Sequence, residues 1–184
     1  LLHLRPRVTE PQKLESYFRE ALQEIDGADN RKKVQQVVRG FLIRAETMPQ
    51  HSREPLRVGL VGEIFTVLEP FANYDIEKRL GLLGVEVTRS IWLSAWINEH
   101  LLGGLLRIRH ECVHDKRLAA PYLNSFVGGH GKETVGCTVG FAQRNYDGVI
   151  QLAPLTCMPE IVAHSVFPAI SKDYEIPLLT FYLD

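Results

Sequence analysis

The sequence predicts an α/β fold: a Rossmann-like parallel sheet of about four strands with helices on both faces, preceded by two helices. Three observations predict it. From Leu56 onward, short β-branched runs alternate with segments of helical periodicity. Glycines mark the joints, at Gly62, Gly84, Gly128 to Gly131 and Gly148. Before Leu56 the pattern is helical only. Strands alternating with helices call for parallel pairing with right-handed crossovers.

The elements follow in order. Leu14, Tyr17, Phe18, Ala21, Leu22 and Ile25 recur at helical spacing, with Thr9 as the expected cap, Pro11 in the first turn and Gly27 as the stop. Asp29 is the expected cap of a second helix carrying Val34, Val37, Val38, Phe41, Leu42 and Ala45 on one face. Pro49 to Pro55 is a polar link, so residues 1–50 read as a helical N-terminal segment and 51–184 as a Rossmann-like α/β domain. Strands are expected at 56–61, 85–91, 149–153 and 178–183. Helices are expected at 75–83, from Trp92 to Leu102, from Leu105, from Lys132 to Asn145 and from Pro159 to Ser171, the last frayed or kinked by Pro168.

Composition bounds the function. The 184 residues are 45% hydrophobic and 23% charged, as in an ordinary globular domain, and the formal net charge is −1. That balance offers no basic excess for nucleic acid or an anionic membrane. No apolar run approaches the roughly 20 residues of a membrane helix. Three cysteines at wide spacing, Cys112, Cys137 and Cys157, read as reduced cytoplasmic thiols rather than a disulfide framework.

In a parallel sheet each helix starts at the carboxyl edge, where ligands of open α/β sheets bind. The predicted topology therefore gathers Glu63, Ser90, Cys157 and the Gly128-Gly129-His130-Gly131 loop there. Glu63 and His130 are the candidate catalytic groups. Gly128, Gly129 and Gly131 are candidate cofactor-binding positions, since glycines admit close approach and a helix start favours an anion. A tight loop needing positive φ explains the same glycines equally well. Cys157, at a helix start after a strand, is expected to be a low-pKa thiolate and a metal ligand. Cys137 reads as a small buried residue.

His110-Glu111-Cys112-Val113-His114 matches HExxH. On a helix that spacing can hold zinc with Glu as base, and Glu133 stands at a distance that suits a third ligand. Pro121 and the glycine loop interrupt the intervening chain, and dense charge around the motif suits a solvated helix face. A zinc peptidase is therefore a remote alternative, and the two histidines are expected to bind no metal.

Longer strings carry a resemblance. They are Val58 to Phe65, Leu68 to Asn73, Leu83 to Val87 with Arg89-Ser90, Val127 to Gly131, Asp147 to Ile150 and Thr156 to Ala163. Together they resemble the CoA-protein-activase-like, acyl-CoA-dehydratase-activase-related family, kin to the D-component of 2-hydroxyacyl-CoA dehydratases and to benzoyl-CoA reductase subunits. The resemblance covers most of residues 56–184. It implies Rossmann-like subdomains, an iron–sulfur cluster held by cysteines, and an ATP-driven activase or other electron donor as partner. It implies a small ligand such as an acyl-CoA, and it leaves a homodimer open. Cys157 matches a family ligand position; Cys112 and Cys137 match none. The resemblance further implies that this chain is the C-terminal half of a longer protein, with more cysteines elsewhere. The alternative reading is a non-catalytic binding or electron-transfer domain.

Overall fold

A computed structural model describes residues 1–92 and 117–183. The HExxH stretch with His110, Cys112 and His114, and the helices expected after Trp92, lie outside the described residues. The chain divides into two compact units. One comprises Leu1–Pro55 with Glu77–Glu86, the other Leu56–Ile76 with Val87–Asp184.

In the first unit, α1 spans Pro11–Asp26 and α2 spans Arg31–Glu46. Their small shared core is Val8, Leu14, Ala45 and Met48, flanked by Tyr17 and Phe41. Pro11 opens α1 at a position where its missing N–H costs nothing, but the preceding residue is Glu10 and its side chain makes no cap. Thr9, the expected cap, donates its hydroxyl to the Pro49 carbonyl instead. The cap of α2 is Asn30 rather than Asp29: its Oδ1 accepts the Lys33 N–H at 2.9 Å. Asp29 is used one step back, taking the Asn30 amide. Arg5 is buried here and paired with Glu15 at 2.6 Å. A cleft of about 190 Å³ lies between α1 and α2, with Tyr17, Lys33, Phe41 and Arg44 in its wall.

The strands are β1 (Leu56–Gly62), β2 (Val85–Arg89), β3 (Gly148–Pro154) and β4 (Leu178–Leu183). They form one all-parallel sheet in the order β2-β1-β3-β4. The register sets Val58 beside Gly148 and Gly62 beside Leu152, and on the other side Val149 beside Leu178 and Pro154 beside Leu183. The expected strand starts hold within a residue; β2 stops at Arg89, two residues short of expectation. A short helix not foreseen in the sequence, α3 (Ile64–Leu68), follows β1 directly, and α4 (Ile76–Leu82) precedes β2.

Two longer helices, α5 (Gly131–Gln143) and α6 (Met158–Tyr174), pack on each other and on β1, β3 and β4. The core between them and the sheet holds Val61, Val135, Val139, Phe141, Val149, Ala163, Phe167 and Ile170. Cys137 belongs to this core, as its apolar setting implied. Strand β3 is buried along nearly its whole length, as a central parallel strand must be when both faces are covered. Helix α6 runs through Pro168 to Tyr174, so the proline neither ends nor shortens it. Among the described residues, no helix is long and apolar enough to cross a membrane.

Candidate functional site

The site is built where β1 and β3 end. At Gly62 the two strands come so close that a Cβ would lie 1.9 Å from the Leu152 carbonyl oxygen, and φ is +134°, a value that glycine alone adopts freely. The next residue stays in the ladder: the Glu63 N–H donates to Leu152 O at 3.0 Å. Glu63 then caps α3. Its Oε1 accepts from the Phe65 N–H and its Oε2 from the Thr66 N–H, each at 3.0 Å. Thr66, buried, donates its hydroxyl back to the Glu63 carbonyl, and buried Asn73 ties the Thr66 carbonyl from the far side. The candidate catalytic carboxylate is therefore held rigidly, with both oxygens engaged by backbone.

Cys157 stands at the N-cap position of α6, three residues past the end of β3. Its N–H donates to Pro154 O and its carbonyl accepts from Ile161, so the backbone of the turn is pinned on both sides. The side chain is partly exposed. The expectation of a low-pKa thiolate is overturned by the surroundings. Burial pushes the thiol up, the Glu160 backbone N–H pulls it down, and the charges of Glu160 and Glu63 push it up again; the net is upward. A helix start does not suffice to ionise a thiol that faces carboxylates.

The glycine loop reaches the same turn. Gly128 and Gly129 have φ of +74° and +46°. A Cβ on Gly129 would lie 3.0 Å from the Pro159 ring, and one on Gly131 would lie 2.5 Å from the Pro159 carbonyl oxygen. The room that these two glycines leave is taken by α6 itself. His130 occupies the N-cap position of α5 without a capping hydrogen bond. Lys132 is drawn to the Asn124 carbonyl at 3.2 Å. The fold thus brings Glu63, the loop 128–131 and Cys157 to one edge of the sheet.

Beneath them lies a group of residues the sequence reading passed over. Glu160 is fully buried in the first turn of α6. Its Oε1 accepts from Thr134 Oγ1 at 3.0 Å and its Oε2 from Gln151 Nε2 at 2.8 Å. Burial raises its pKa to about 7 against these two hydrogen bonds, and the charges of Glu63 and Glu133 add to the rise. The signal in the sequence is Gln151 itself, one polar residue inside Val149-Ile150-Gln151-Leu152-Ala153. A buried amide must find partners, and here they come from two other elements, α6 and β4.

Among the described residues, no group of three or more His, Cys, Asp or Glu is arranged to hold a metal ion. Cys157 is one thiol where a cluster needs several, so the described residues by themselves do not fit a complete iron–sulfur cluster. Compared with family models, curated proteins and solved structures, the chain matches none.

Proposed function

We propose that this chain is a Rossmann-like domain of an iron–sulfur protein of the acyl-CoA dehydratase and activase system. In that reading Cys157 ligates iron together with cysteines supplied from elsewhere, and Glu63, His130 and the loop 128–131 line the cleft beside it. The substrate is a CoA thioester or another small molecule, and the electrons come from an ATP-driven activase or a comparable donor. The observation that carries the reading is the placement of Cys157: partly exposed, at the carboxyl edge of a parallel sheet, with its turn packed against the glycine loop. The raised thiol pKa is compatible with this, because a coordinating metal deprotonates a thiol outright.

A second reading, a binding or electron-transfer domain without turnover, is favoured by one detail. Both oxygens of Glu63 already serve α3, which suits a structural carboxylate better than a general base. The two readings share the iron and part at the chemistry. The complete protein, purified without oxygen, should contain iron and sulfide, and Cys157→Ser should lower both while Cys137→Ser does not. Equal iron in wild type and Cys157→Ser would remove Cys157 from the site and the reading with it. Turnover of an acyl-CoA with a reductant then separates enzyme from carrier.

A further inference from the structure

A leucine at position 151 would bury as well as glutamine and would need no partners. The chain instead maintains a continuous polar network in its core. Gln151 is fully buried, and its amide is used at both ends. Nε2 donates to the Glu160 carbonyl at 3.0 Å and to Glu160 Oε2 at 2.8 Å. Oε1 accepts from Thr180 Oγ1 at 2.9 Å. Thr180 in turn contacts His164 Nδ1 at 2.8 Å. The directions follow from valence: the single Thr180 hydroxyl proton goes to an oxygen that can only accept, so His164 must donate from Nδ1. On the other side Thr134 of α5 closes on Glu160 Oε1, and Thr138 binds the Thr134 carbonyl at 2.7 Å. Among the described residues, no buried side-chain nitrogen or oxygen is left without a partner.

We infer that Gln151 and Thr180 are positioning residues that orient the first turn of α6, and with it the side chain of Cys157. Apolar packing would hold α6 on the sheet but would tolerate small rotations about its axis. Directional bonds to one residue, Glu160, from Gln151 of β3 and Thr134 of α5, with Thr180 of β4 fixing the Gln151 amide, do not. Glu160 lies one helical turn from the N-cap, and the Cys157 carbonyl is bonded to the Ile161 N–H beside it. The rotation of α6 at 160 therefore sets where the sulfur at 157 points. The network is also complete, and it is buried at Gln151, Glu160, Thr134 and Thr138, the condition under which such polar groups specify one arrangement rather than loosen the core. This inference rests on Cys157 being the working residue of the site.

The test compares Thr180→Val, which keeps the shape and removes the hydroxyl, with Thr180→Ser, which keeps the hydroxyl. Backbone hydrogen exchange is followed by mass spectrometry, and the rate of Cys157 alkylation by iodoacetamide is read from the peptide that carries it. In Thr180→Val, exchange over 157–161 should speed up about tenfold, with protection of the second half of α6 retained. Cys157 alkylation should change at least about threefold, and Thr180→Ser should restore both to within about twofold of wild type. Gln151→Leu should reproduce the valine result. A uniform loss of protection across β3 and all of α6, or no change at 157–161 in both Thr180→Val and Gln151→Leu, would overturn the inference. Neither readout involves iron, so a failed iron analysis would remove the role of Cys157 and leave this result standing on its own.

Discussion

Gly62 shows at the scale of one residue how the sheet edge is made. Its φ of +134° and the 1.9 Å approach of a hypothetical Cβ to Leu152 O leave no room for any side chain. The clash is with backbone, which cannot rotate away as a side chain could. Gly62→Ala should therefore cost roughly 3 kcal/mol or more, by strain at a conformation reserved for glycine together with loss of the β1–β3 ladder at its end. Urea unfolding of the variant measures this; a cost under about 1 kcal/mol would mean that the strand ends can part freely. The sequence marked Gly62 as a strand stop but gave no hint of this close approach, because close approach depends on a strand 90 residues away. The same limit explains Cys157. Its place at a helix start was legible, whereas the burial that chiefly raises its pKa, and the charges of Glu160 and Glu63 that add to the rise, come with the folded surroundings, and Glu63 is distant in the chain.

At the scale of elements, periodicity located every strand and the four longer helices of the described residues, because each buries one face or both. What periodicity does not reach is a helix of five residues: α3 has too few turns to show a period. It was hidden in the string after Glu63, a residue read as chemistry that the structure uses as a cap. Helix ends were misassigned for a related reason. Asp29 and Asn30 are both good caps by type, and only the turn geometry chooses between them. Because the Asn30 side chain receives the Lys33 N–H, Asn30→Ala should lose about 1 kcal/mol, a fall in the melting temperature of about 2–4 °C. Asp29→Ala, which leaves that bond in place, should lose less. Calorimetry on the two variants checks the order; a larger loss for Asp29→Ala would return the cap to the neighbouring residue.

For the molecule as a whole, fold class was legible from alternation alone, since a parallel sheet demands crossovers and crossovers demand helices. The polar network under the site was not, although its central residue interrupts an apolar strand in plain view. Partners for Gln151 arrive from β4 and α6, and no local pattern announces them. That network gives the stability of the whole chain a pH dependence of definite sign. The pKa of Glu160 rises from 4.5 to about 7 on folding, chiefly through burial. Below pH 4.5 both states hold the proton, and the contribution from this group is fully present. As pH climbs toward about 7 the unfolded chain has released the proton and the folded chain has not, so stability falls. Above that the loss is complete, on the order of 3 kcal/mol at most. Glu160→Gln removes the titration and keeps the bonds: the amide oxygen can accept from Gln151 and the amide nitrogen can donate to the Thr134 hydroxyl. Urea midpoints at pH 5, 6, 7 and 8 should therefore fall more steeply for wild type than for Glu160→Gln, with the variant ahead at pH 8. Parallel profiles for the two proteins would show that Glu160 ionises in the folded chain as readily as in the unfolded one, and that its burial carries no electrostatic cost.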